Sequence, residues 1–167
     1  MGKREMKNYT FFWRSNSYLS QWNMSTPFVG MDGLKYNCAE QYMMAQKARL
    51  FGDYDMADLI MAAKSPKEQK KLGREVQDYD DDIWREASEN IVFTGNFYKF
   101  TQNPAAFKEL ILSDGDIVEA SPYDAIWGIG FDEEHALQVD PDDWGQNKLG
   151  KILTKLRNGL RQNCKQY

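Results

Sequence analysis

Residues 37–53 read NCAEQYMMAQKARLFGD, and whether this stretch is helical decides the fold. Asn37 is a residue type that caps helices, and Glu40 stands three positions on, where a capping box places its acid. Ala39, Met43, Gln46 and Leu50 share one helical face, and Gly52-Asp53 supplies the stop. Within such a helix Glu40 and Lys47 lie two turns apart and project from the same side. Two readings of the pair stand at this point. Either a carboxylate and an ammonium face one functional surface, or Glu40 completes the cap with Asn37 and Lys47 is a solvated helix residue.

Upstream, TFFWR (residues 10–14) is β-branched and aromatic and reads as a strand. Phe28 to Tyr36, with Asp32-Gly33 at its centre, carries the signal of a two-residue hairpin. The intervening Ser15 to Pro27 is a polar loop anchored by Leu19 and Trp22. Downstream, one helix is expected from Asp53 to Lys64, and Ser65-Pro66 opens a second that stops at Gly73. A third starts near Asp82 behind an acidic run, with Ile83, Ala87 and Ile91 as its apolar face. Asn103-Pro104 starts a helix to Leu112, Asp114-Gly115 breaks it, and Ile117 to Ala120 is a strand. Ser121 to Gly145 reads as a long irregular loop that must bury Trp127 and Trp144. Leu149, Ile152, Leu153, Leu156 and Leu160 then mark a closing amphipathic helix. With no linker, repeat or low-complexity tract, the 167 residues are expected to form one helix-rich α+β domain with a small N-terminal antiparallel β part.

Composition removes several function classes. No apolar run approaches the ~20 residues of a membrane span, and the charged Met1 to Asn8 is followed by no apolar leader core, so a cytoplasmic protein is expected. A formal charge of −4 is the wrong sign for a protein that coats nucleic acid. Cys38 and Cys164 are far apart and His135 is the only histidine, so neither a zinc cage nor a disulfide framework is expected, and no metal or cofactor is called for. His135 reads as a solvated loop residue, and Cys38 lacks the partner a thiol nucleophile needs.

Two further segments carry chemistry-bearing residues. In YDAIWGIG (residues 123–130) Asp124 offers an acceptor or base, Trp127 a flat face for a nucleobase, and Gly128 a close backbone approach; alternatively Asp124 caps a turn and Trp127 is core. In WGQNKLGKIL (residues 144–153) the amides around Asn147 at a helix start could attract phosphate, helped by Lys148 and Lys151. Neither a Walker sequence nor GxGxxG is present. The Lys64 to Arg74 cluster reads as a solvated helix face, from which Arg74 could turn inward to a phosphate.

Taken in order, FFW (11–13), LSQW (19–22), the Asp-Gly hairpin with YNCAEQYMMAQKARLFGD (36–53), Gly73-Arg74, Trp84, KFTQN (99–103), YDAIWGIG and WGQNKLGKIL resemble the NADAR or YbiA-like family, over about residues 10–161. The resemblance implies the YbiA-like fold and an N-glycosidase that hydrolyses the C1′–N ribosyl bond. Its implied substrates are phosphoribosylamino-pyrimidine intermediates of riboflavin biosynthesis, or guanine carrying ADP-ribose, including in nucleic acid. By motif position it implies Glu40 and Asp124 as the catalytic acids and Lys47, Trp84 and Trp127 around the substrate, to which the residue reading adds Arg74, Gly128 and Asn147 as further substrate contacts. Many members have Ser-Asn-Phe in the first loop where this chain has Ser20-Gln21-Trp22, so contacts there would fall to Gln21 and Trp22. The alternative in another class is a non-catalytic module that binds ADP-ribose or a related nucleotide. No protein partner and no membrane is implied.

Overall fold

The computed structural model describes residues 7–165. In chain order the elements are β1 (Tyr9–Phe12), β2 (Phe28–Val29), β3 (Lys35–Tyr36), α1 (Ala39–Leu50), α2 (Tyr54–Ala62), α3 (Pro66–Gly73), α4 (Asp81–Gln102), α5 (Pro104–Leu112), β4 (Asp116–Glu119), α6 (Glu133–Ala136), a 3-10 turn (Pro141–Asp143) and α7 (Lys148–Cys164). This is the helix-rich α+β composition expected, with an antiparallel β2–β3 pair. Contacts group the chain into two compact units, Ser15–Lys108 and the stretches on either side of it. Among the described residues no helix is long and apolar enough to cross a membrane.

In the unit Ser15–Lys108, α1 packs against α2, α3 and α4. It is buried almost all round, from Ala39 to Ala45 and again at Ala48, as a helix at the centre of a unit must be. Its neighbours approach closely through glycine: a Cβ on Gly73 of α3 would collide with Met44, and one on Gly95 of α4 with the ring of Tyr42. The starts of α2, α3 and α4 follow the expected grammar, with Asp53, Ser65 and Asp80 accepting from first-turn amides. The hairpin is wider than two residues. Val29 pairs with Lys35, and residues 30–34 form a loop in which Asp32 accepts from the Leu34 amide and the Tyr36 hydroxyl and Gly33 takes φ +77°.

The buried face of α4 is also not the expected one. Ile83 is 49% exposed, and Ser88, Val92, Gly95, Asn96, Lys99 and Phe100 turn inward instead. The cause is the loop 15–27, whose polar groups need buried donors. Lys99 Nζ donates to the Ser20 carbonyl at 2.8 Å, and Asn96 Nδ2 to Gln21 Oε1 at 2.8 Å.

In the other unit β1 pairs in parallel with β4, from Tyr9–Asp116 to Phe12–Glu119, so the TFFWR strand finds its partner across the sequence. The stripe Leu149, Ile152, Leu153, Leu156, Leu160 is buried as expected on α7, which packs on β4. The approach is so close that a Cβ on Gly150 would overlap the Ile117 carbonyl oxygen. Side chains of α7 and its N-cap saturate that edge of β4: Asn147 bridges the Glu119 amide and Ile117 carbonyl, and Thr154 accepts from the Ile117 amide. The irregular stretch closes over Val118, Ala120, Ile129 and Ala136, with Trp144 packed against them.

Candidate active site

The first turn of α1 excludes the capping reading of Glu40. The helix is capped at Cys38 without a side-chain bond, because Asn37 is occupied elsewhere. Its amide donates to Gln41 Oε1 at 2.7 Å, its Nδ2 to the Lys64 carbonyl at 3.2 Å, and its Oδ1 accepts from Gln69 at 3.0 Å. Glu40 is therefore not part of a capping box. Its own amide donates to the Gln21 carbonyl at 3.0 Å, and its side chain is buried, only 6% exposed. A carboxylate taken from water costs several kcal/mol unless positive charge and dipoles face it. The positive end of α1 supplies one such field. Lys47 supplies another, since Glu40 strengthens its ammonium, and Lys99 Nζ meets the Ser20 carbonyl next to the Gln21 carbonyl that takes the Glu40 amide, with Glu40 and Lys99 acting in opposite sense on the Cys38 thiol.

Lys47 stands two turns further along α1, about 10 Å by the helix rise. Its Nζ lies 4.7 Å from the ring centre of Tyr79 and 5.5 Å from that of Trp84, a corner of two aromatic faces around a cation. Burial pulls the ammonium below the ordinary lysine range, Glu40 opposes this, and the neighbouring Arg74 charge adds to it. Tyr79 is braced by Phe51, with ring centres 5.4 Å apart, and its hydroxyl donates to Asp81 at 2.9 Å. The structure thus brings Glu40, Lys47, Arg74 and Trp84 into one region.

The first loop is pinned beside Glu40. Gln21 accepts from Asn96 and donates to the Met43 sulfur, so its side chain ties the loop to α4 and α1. Trp22 lies 5.8 Å from Lys70 Nζ, a second cation–aromatic pair in the same unit. The Cys38 thiol donates to Gln69 Oε1 at 3.1 Å, and burial pushes it up to about 11, which leaves almost no thiolate at neutral pH.

The remaining candidates belong to the other unit. Asp124 Oδ1 accepts from the amides of Ile126 and Trp127, each at 2.9 Å. Lys148 Nζ stands 5.8 Å from the Trp127 ring, and Gly128 admits the carbonyls of Glu119 and Asp124. The amides of Asn147, Lys148 and Leu149 donate to the carbonyls of Gly128, Ile126 and Trp127. The start of α7 accordingly has these donors spent, and Asn147 holds β4 rather than presenting itself to a phosphate. Among the described residues no three His, Cys, Asp or Glu side chains gather as a metal cage.

Two residues of this region carry no functional mark in the sequence. Tyr79 sits in an acidic turn with no periodicity to mark it. Lys99 lies within KFTQN, where the spacing 88, 92, 95, 99 is a helical alternative to the apolar face Ile83, Ala87 and Ile91.

The fold is helix-rich α+β, and its central helix carries a buried carboxylate and, two turns on, a lysine between aromatic rings. The chain belongs to the NADAR domain family, whose model matches residues 11–161. It is 40% identical to a protein named N-glycosidase from Acanthamoeba polyphaga mimivirus, over 95% of this chain and 99% of that one. A riboflavin biosynthesis protein of Vibrio vulnificus is 28% identical over 81% of this chain, which spans only 34% of that longer protein. The NMR structure of the E. coli protein YbiA has the same fold, with a TM-score of 0.77 at 23% identity, over 96% of this chain and 89% of that one.

Proposed function

We propose that this protein is a cytoplasmic N-glycosidase that hydrolyses the C1′–N ribosyl bond of nucleotide-like compounds, with Glu40 as its principal acid. The observation that carries the reading is the burial of the Glu40 carboxylate at the start of α1, released from capping and beside the Lys47 corner. Cleaving a ribosyl C–N bond builds positive charge on C1′ and the ring oxygen, which a nearby carboxylate stabilises more in the transition state than in the neutral ground state. Water oxygen bonds to C1′, Glu40 takes one of its protons, the C1′–N electron pair leaves with the base, and the proton held by Glu40 passes to the base nitrogen, which restores the carboxylate. Lys47 keeps Glu40 ionised and binds the phosphate side of the substrate, with Arg74 as outer charge. Trp84 stacks on the base. The reaction needs only water and proton transfer.

The substrates we propose are phosphoribosylamino-pyrimidines or ADP-ribosylated guanine. Incubating the protein with each and measuring free base by chromatography tests this: release from at least one is expected. Nucleotide binding by calorimetry without base release at any enzyme concentration would make the protein a reader instead.

Trp84→Ala is expected to raise KM about tenfold, the loss of one base–aromatic stack, while Trp84→Phe retains most of the affinity. We also propose Asp124 as an acid of the reaction. Asp124→Asn keeps the Oδ1 acceptor of its turn, so the variant should fold normally while turnover drops at least tenfold; unchanged turnover would confine Asp124 to the turn.

A further inference from the structure

The groove along α7 carries features that the proposed reaction does not use. It encloses about 690 Å³ and is walled by β1, β4, the 3-10 turn and one face of α7, a volume in the range of small-ligand sites. In a chain of net charge −4, α7 holds three lysines and two arginines and no acidic residue. The two arginines are spent inside the fold: Arg157 donates to the Ser113 and Gly115 carbonyls, and Arg161 to those of Ile111 and Ser113. Lys151 and Lys155, one turn apart, both line the groove. The acid on its floor, Asp116, is matched by Lys7 at 2.8 Å.

The wall opposite is aromatic and fixed. Trp144 lines the groove, its Nε1 donates to the Ala136 carbonyl at 3.3 Å, and Tyr9 and Phe11 brace its ring at 5.1 and 6.0 Å. Gly159 lies inside α7 on the groove side, and nothing comes within 4 Å of where its Cβ would be. Glycine is unfavourable inside a helix, and no packing contact here requires it. What its lack of a side chain does is keep the groove open.

We infer that this groove is a second binding site, for a nucleoside diphosphate. The base lies on Trp144, the diphosphate spans Lys151 and Lys155, and Asp142 at the rim accepts from ribose hydroxyls. The site is independent of Glu40 and would hold a nucleotide without cleaving it.

The test is titration of the isotope-labelled full chain with ADP, with pyrophosphate and adenosine in parallel. The expected result is that ADP shifts the Trp144 indole and the Lys151 and Gly159 amides, and binds at least tenfold more tightly than either half-ligand. In K151E/K155E the affinity should fall at least tenfold while base release is unchanged. Gly159→Gln fills the groove without altering charge and improves helix propensity, so it should weaken ADP at unchanged or raised Tm. ADP affinity unaltered in both variants, or shifts confined to residues around Lys47 and Trp84, would overturn the second site without touching the role of Glu40.

Discussion

Glu40→Gln is expected to lower kcat by about 10² to 10⁴, the range a positioned acid–base group supplies. The change keeps shape and volume at a buried position and removes only the charge, so the effect reads the electrostatics of the site. An amide neither takes a proton from water nor stabilises a developing sugar cation as a carboxylate does. KM should change little, because the contacts proposed for base and phosphate lie around Lys47 and Trp84. A second readout separates catalysis from collapse of the region. Glu40 strengthens the ammonium of Lys47 while burial weakens it, so losing the carboxylate should make Lys47 a more reactive amine at pH 8–9, measured by acylation and peptide mapping. Wild-type turnover in a folded Glu40→Gln protein would remove this residue from the chemistry.

The elements came through the sequence well wherever local chemistry alone builds them. The starts of α2, α3 and α4 and the α7 stripe needed no tertiary information, because a side-chain oxygen or a leucine at a fixed spacing acts on its own few residues. The pairing of β1 with β4 was not legible, since a parallel partner over 100 residues away leaves no local mark. The inward face of α4 differs from the apolar stripe for a related reason. Ile83 and Ile91 looked like core, but the demand of the loop 15–27 for buried donors brought Asn96 and Lys99 inside. At the site, Glu40 and Lys47 were visible as a pair two turns apart. Their meaning turned on whether Asn37 was free to cap, and that depended on Gln41, Lys64 and Gln69, which only the folded chain brings together.

Lys99 is where stability and chemistry meet, and Lys99→Met is expected to cost about 3 kcal/mol. Its side chain is fully buried, with Nζ on the Ser20 carbonyl, and methionine fills nearly the same volume without the charge or the donor. The Ser20 carbonyl keeps the Asn23 amide at 3.2 Å but loses its charged donor, and a hydrogen bond to a charged group contributes about 1.5–3 kcal/mol. A buried carboxylate that loses a nearby cation adds to that, since breaking a buried charge arrangement from one side is strongly destabilising. Urea denaturation should show the loss as a lower midpoint at unchanged m. The same substitution has a signature that a packing role would not produce. With less positive charge around Glu40, its protonated form gains, so the acid limb of the pH–rate profile should move to higher pH, while Lys99→Arg, which keeps the charge, should leave that limb close to its original place. An acid limb unmoved in Lys99→Met, with stability reduced, would confine Lys99 to holding the first loop. A limb that moves makes it the positioning residue that keeps the Glu40 carboxylate ionised through its field, and accounts for a lysine being buried in α4 at all.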